Sequence, residues 1–208
     1  MSIYVDDIVC CMIVDLEHAP IPEVDLAQTA AWLGRIARRE TSGFVVRGNG
    51  EEDSGHDTVA AIIRQMALRG GDFPLHPVRV GGITFGWHTD FGPRKEPSHM
   101  FVNVHHTTRG SVLARLVVPK PELWTFDDRM GHVILPERAR NLLNQDRVDD
   151  TLLAPTVHET VLHQGDVLVF SVGGDAPTVH RFVNVPLDQE RTSYVHDGYL
   201  DVAGHIND

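Results

Sequence analysis

Apolar residues return along the N-terminal part of the chain at two different periods. Between Asp25 and Glu40, Leu26, Ala30, Leu33 and Ile36 recur every three or four positions, the spacing that lines one face of an α-helix. Asp25 suits the N-cap, and Arg38 and Arg39 suit the negative C-terminal end. A second helix is expected from about Asp57 to Leu68, with Val59, Ile62, Ile63 and Met66 inward and Gly70-Gly71 closing it. Gly43 breaks the pattern between the helices, and Phe44-Val45-Val46 reads as a short strand. Ahead of both helices, the run Ile8 to Val14 reads as a buried strand, followed by a turn or linker at Ala19-Pro20-Ile21-Pro22. Asn49-Gly50 and the acidic Glu51-Glu52-Asp53 form a solvated loop.

From Val78 the period shortens. Strands are expected at Val80 to Thr84, Met100 to His105, Ser111 to Val118, Thr156 to Leu162, Val167 to Ser171, Thr178 to Val185 and Arg191 to Tyr199. Gly, Pro, Asn or Asp usually separates them, and one helix interrupts near Pro136 to Gln145, with Pro136 in its first turn. Many short strands with such spacing indicate a sandwich or barrel rather than βαβ units. The fold class expected is mainly β with helical support, a jelly roll with the N-terminal helices packed outside. Residues 1–208 then form a single domain, in which 1–77 support a core at 78–199.

Composition narrows the function. Hydrophobic residues make up 42% of the 208 and charged residues 23%, enough for a full core. A formal charge of -11 argues against nucleic acid and anionic membrane surfaces, both of which select basic patches. The only cysteines, Cys10 and Cys11, are adjacent and poorly placed to bridge, which fits a reducing cytoplasm. Asp6 and Asp7 precede the apolar run where a signal peptide would carry Lys or Arg, and the run is too short to cross a bilayer.

Candidate chemistry centres on Gly86-Trp87-His88-Thr89-Asp90-Phe91-Gly92-Pro93. On a strand, residues two apart share a face, so His88 and Asp90 can aim an imidazole and a carboxylate at one point. Two histidines and one carboxylate on one face hold ferrous iron with open positions for oxygen chemistry. His180 is the third-ligand candidate, on the strand after the Gly173-Gly174-Asp175-Ala176-Pro177 loop. Eleven residues further stands Arg191, then Ser193 on the same strand face. A guanidinium fork with a hydroxyl beside it grips a carboxylate. The rivals fare worse: His158 and His163 are five apart, which suits neither a helical zinc-protease pair nor one strand face. His105-His106 fails likewise, although Asn103 or His105 can line a pocket from a neighbouring strand. Trp87 and Phe91 read as core or rim aromatics, Phe182 as a barrel-interior candidate, and His196 and His205 as solvated.

In order and spacing, His88-x-Asp90, Gly165-Asp166-Val167-Leu168-Val169-Phe170, His180 and Arg191-x-Ser193 resemble the Fe(II)- and 2-oxoglutarate-dependent dioxygenase superfamily over residues 78–199. Trp87-His88-Thr89-Asp90 is similar to the taurine dioxygenase branch, whereas Arg191-Thr192-Ser193 is similar to the plant-type and isopenicillin N synthase-like branch. The resemblance implies a double-stranded β-helix, with iron on His88, Asp90 and His180 and 2-oxoglutarate held by Arg191 and Ser193. It implies conversion of 2-oxoglutarate and O2 to succinate and CO2 while a substrate is oxidised. Halogenating relatives have Gly or Ala where Asp90 stands, so the resemblance favours hydroxylation, desaturation or ring formation. Two further readings stay open: an iron oxidase that does without 2-oxoglutarate, and a non-catalytic cupin-like domain that binds a metal or carboxylate. A small-molecule partner is expected; Arg79, Arg94, Lys95 and Arg115 are candidates for a substrate anion only by nearness to the motif.

Overall fold

The computed structural model describes residues 3–4, 10–14, 26–38, 40–51, 55–68, 78–81, 86–88, 99–117, 125–127, 132–134, 136–145, 157–171, 178–186, 189 and 191–201. Twelve strands and three helices follow in the order β1 (Ile3–Tyr4), β2 (Cys10–Val14), α1 (Leu26–Ala37), β3 (Thr41–Val46), α2 (His56–Leu68), β4 (Val78–Gly81), β5 (His99–Arg109), β6 (Val112–Val117), β7 (Thr125–Asp127), β8 (His132–Ile134), α3 (Glu137–Asn144), β9 (Val157–Leu162), β10 (Val167–Ser171), β11 (Val179–Asn184) and β12 (Thr192–Asp201).

A seven-stranded sheet runs β1-β2-β3-β10-β5-β12-β4, and a three-stranded sheet runs β11-β6-β9. An isolated antiparallel bridge between His88 and His180 adds a fourth element to the edge of the smaller sheet. The large sheet thus contains β4-β12-β5-β10 and the small one the His88 segment followed by β11-β6-β9. That alternation of successive strands between two antiparallel layers is the double-stranded β-helix expected from the sequence. β2 and β3 are parallel, joined by the α1 crossover, and extend the large sheet beyond the β-helix.

Strand parity divides the core in two. Leu168 and Phe170 face the small sheet, where they cluster with Val45, Val112, Ala114, Leu116, Leu162 and Phe182. Their neighbours Val167 and Val169 face the other way and pack with Phe44, Val102, Val104 and Leu200 against Leu33 and Ile36 of α1 and Val59 and Ile62 of α2. Each such buried side chain contributes about 1.5–3 kcal/mol. Helices clamp one face of the large sheet, leaving its other face to the β-helix interior.

Local differences from expectation have clear causes. Gly43 does not end a pattern; it lies inside β3, opposite Phe170, where a Cβ would collide with the Val169 carbonyl. α2 begins at His56, α3 takes Pro136 as its N-cap rather than in its first turn, and β5 continues four residues beyond His105. The β7–β8 hairpin was not signalled by the pattern. The side chains of Leu26 and Met66, like Asp25, lie outside the described residues. Among the described residues no helix is long and apolar enough to cross a membrane.

Asp166, at the head of β10, is 3% exposed and ties the motif turn to the sheet. Its carboxylate accepts from Arg47 Nη1 at 2.7 Å, Gly48 N at 2.8 Å and His163 N at 2.8 Å. Gly165 supplies a positive φ of 90°, which a glycine adopts without strain.

Candidate active site

His88 and His180 face each other across the edge of the small sheet. Their backbones exchange two hydrogen bonds, His88 N to His180 O at 3.0 Å and His180 N to His88 O at 2.8 Å. Cross-strand partners project to the same side, and the two rings lie 4.3 Å apart between centroids. His88 Nδ1 is 2.7 Å from the Gly86 carbonyl and His180 Nδ1 is 3.2 Å from the Thr178 carbonyl. A carbonyl only accepts, so each Nδ1 carries the proton and each lone pair sits on Nε2. That is the tautomer a divalent metal needs, fixed in advance by backbone acceptors. His180 is 1% exposed and is flanked by Phe170 at 4.8 Å and Phe182 at 5.6 Å between ring centroids. The donor set therefore suits a metal bound through two imidazoles. Asp90 lies outside the described residues, and no set of three metal-ligating side chains is gathered among the described ones.

Register places the rest of the interior. His180, Phe182 and Asn184 of β11 oppose Leu116, Ala114 and Val112 of β6. On the large sheet, Asn103 and His105 oppose Phe170 and Leu168, Thr107 is next on that face, and Ser193 lies across from Thr107. His105 stacks on Phe182 at 4.2 Å with ring planes 10° apart. Both Asn103 and His105 thus line the interior, and Phe182 points into it.

Arg191 is 2% exposed. Its Nε donates to Asn184 Oδ1 at 2.7 Å and its Nη1 to Ser193 Oγ at 2.8 Å, and its guanidinium carbon sits 5.8 Å from the Phe182 ring centre. None of these partners is an anion. Burial depresses its pKa to about 10. Of five guanidinium N–H groups, two are used, and Ser193 as acceptor keeps its own proton to donate. Thr107 Oγ1, fully buried across from Ser193, has no hydrogen-bond partner among the described residues. Among the described residues this corner brings a buried guanidinium together with hydroxyl and amide groups and no carboxylate.

Two of these residues were missed from sequence. Asn184 was within reach, because the two-residue rule that carries His180 to Phe182 carries on to it. Thr107 was not, since only the β5–β12 register puts it beside Ser193. Other candidates sit elsewhere. Arg115 opposes Arg181 and Glu159, on the outer face of the small sheet, where it pairs with Glu159 and covers the Trp87 ring at 5.4 Å. His158 is the exception: it opposes Leu116 on β9 and so shares the inward face of the small sheet two strands from His180, whereas His163 lies in the turn beyond that strand, its amide held by Asp166. His196 is not a solvated tail residue: it belongs to β12, opposite Val104, and is half-buried. Burial, then the nearby His56, lowers its pKa. The Arg79 side chain and Phe91, Arg94, Lys95 and His205 lie outside the described residues.

No protein-family model matches the chain, and no curated protein does. Solved structures similar in fold include the non-heme iron oxygenase OrfP in complex with Fe and alpha-ketoglutaric acid, 11% identical over 82% of this chain and 78% of that one, with a TM-score of 0.47. They include an N-substituted L-amino acid dioxygenase from Burkholderia ambifaria, 12% identical over 82% and 90% of the two chains, TM-score 0.45. A taurine dioxygenase from Burkholderia xenovorans is 14% identical over 96% and 89%, TM-score 0.42.

Proposed function

We propose that this protein is a non-haem Fe(II)- and 2-oxoglutarate-dependent oxygenase that oxidises a small molecule by hydroxylation, desaturation or ring formation. The observation that carries the reading is Arg191: a buried cation whose hydrogen-bond partners among the described residues are neutral, inside the same β-helix as two histidines in metal-binding tautomers.

His88 and His180 would hold the iron through Nε2, with Asp90 as the carboxylate ligand. Bound iron supplies the activation of O2 that no amino-acid side chain provides. The chain's own work is to bind and orient. Arg191 and Ser193 would take the far carboxylate of 2-oxoglutarate, with Thr107 Oγ1 placed to add a hydroxyl donor. Phe170, Phe182 and Leu116 keep this corner dry, which strengthens each charge-assisted bond. A substrate would enter beside His88, the less buried of the two histidines.

The test uses anaerobic protein loaded with ferrous iron. Added 2-oxoglutarate should give the weak visible charge-transfer band of an iron-bound 2-oxo acid, and Arg191→Ala should weaken it. Iron binding with no band at any concentration favours an oxidase that does not use 2-oxoglutarate. Failure to bind iron leaves a cupin-like binding domain.

A further inference from the structure

β11 carries three inward side chains in succession, each tied to a different part of the site. His180 is the imidazole at the metal end, Phe182 lies beneath the Arg191 guanidinium, and Asn184 accepts from Arg191 Nε at 2.7 Å. Two strand repeats separate His180 from Asn184, about 13 Å at 3.3 Å per residue. An arginine side chain is long and would otherwise sweep an arc of several ångströms. Here the arc is closed. Asn184 is itself fixed, because its Nδ2 donates to the Gln189 carbonyl at 3.0 Å, which settles which amide atom faces the guanidinium. Asn184 is 4% exposed and takes no part in binding iron or carboxylate itself.

We infer that Asn184 is a positioning residue that sets the length of the 2-oxo acid accepted, by holding the Arg191 fork at a fixed reach from His180. This rests on Arg191 being the carboxylate anchor. With Nε clamped, the remaining Nη edge presents its donors at one depth. On this reading a five-carbon 2-oxo diacid would span from metal to fork, whereas its six-carbon homologue would have to buckle against a fork that does not yield. Without the clamp, the fork can retreat and accept the longer chain.

The experiment measures binding of 2-oxoglutarate and 2-oxoadipate to the ferrous protein without oxygen, by calorimetry, alongside thermal unfolding. One methylene in a tight pocket discriminates about 10–200-fold, so the wild type should prefer 2-oxoglutarate within that range. Asn184→Ala should reduce the preference to about threefold and weaken 2-oxoglutarate about tenfold, the loss expected from one charge-assisted contact. Asn184→Gln keeps both the amide donor and acceptor but lengthens the side chain by one methylene, so it should fold and displace the fork, changing the preference between the two acids. Should Asn184→Ala lose thermal stability with the preference unchanged, Asn184 merely anchors the turn to Gln189 and the inference is wrong. If the alanine variant does not fold, Asn184→Gln decides: a preference between the two acids unchanged from the wild type overturns the inference. A wild type that binds iron but neither acid overturns the anchor reading itself, and the length rule with it.

Discussion

Arg191 brings a positive charge into the β-helix with Asn184, Ser193 and Phe182 around it. A buried charge left without a partner costs stability, and an incoming carboxylate removes that cost. Arg191→Ala is therefore expected to weaken 2-oxoglutarate binding about 100-fold, on the scale of a lost bidentate charge pair, measured by titration of the ferrous protein. The pH profile should match. The guanidinium is protonated at neutral pH, and its depressed pKa of about 10 means affinity holds through neutrality and falls as pH rises through that value. Arg191→Ala should show no such fall. At the metal end, His180→Ala should leave the protein folded while iron content, read by elemental analysis, drops well below one per chain. Arg191 and Ser193 were legible as neighbours because strand alternation alone aligns them. Thr107 was illegible because its role depends on a pairing between strands distant in sequence.

Among the elements, the Gly165-Asp166 turn does more than reverse the chain. Asp166 collects Arg47, Gly48 and His163, joining β3, the turn and the end of β9. Asp166 is buried while Arg47 stays partly exposed, so removing the carboxylate costs about 1–3 kcal/mol, the penalty for the donors left without it. Asp166→Ala should lower the urea midpoint accordingly, with an unchanged denaturant slope. Apart from the β7–β8 hairpin, element types were readable from period and the residues that punctuate it. Their ends were not: β5 runs on to Arg109 through His106, Thr107 and Thr108, polar residues that a hydrophobic pattern cannot claim for a strand. Gly43 misled for a related reason. Its missing side chain reads as a break, yet it is the condition for close contact between β3 and β10.

The whole molecule is an asymmetric assembly, with helices on one face of the large sheet and the site on the other. His196 lies on the helix side, near His56 and His106, whose rings meet edge-on at 5.0 Å. Its pKa is lowered from 6.5, first by burial and then by His56. A lowered imidazole pKa means the unfolded chain binds the proton more readily, so stability is lost as pH falls below 6.5. Thermal melts should show that decline, and His196→Gln should flatten it without changing 2-oxoglutarate affinity. The helical clamp and the β-helix could both be anticipated, because apolar periods of 3.6 and 2 need complementary faces to bury. The extension through β1 and β2, with β2 parallel to β3 and β1 antiparallel to β2, could not, since an isolated apolar run does not name its partner strand.

Thr107 shares backbone bonds with the Gly165-Asp166 turn: its amide donates to the Asp166 carbonyl at 3.0 Å and its carbonyl accepts from Gly165 N at 2.7 Å. One residue thus sets its side chain beside Ser193 and gives its peptide group to the turn that starts β10. Opening the turn and loosening the pocket become a single local event. Amide hydrogen exchange at Thr107 should therefore slow when 2-oxoglutarate binds and quicken in Asp166→Ala, so that one peptide proton records both the occupancy of the pocket and the integrity of the fold beneath it.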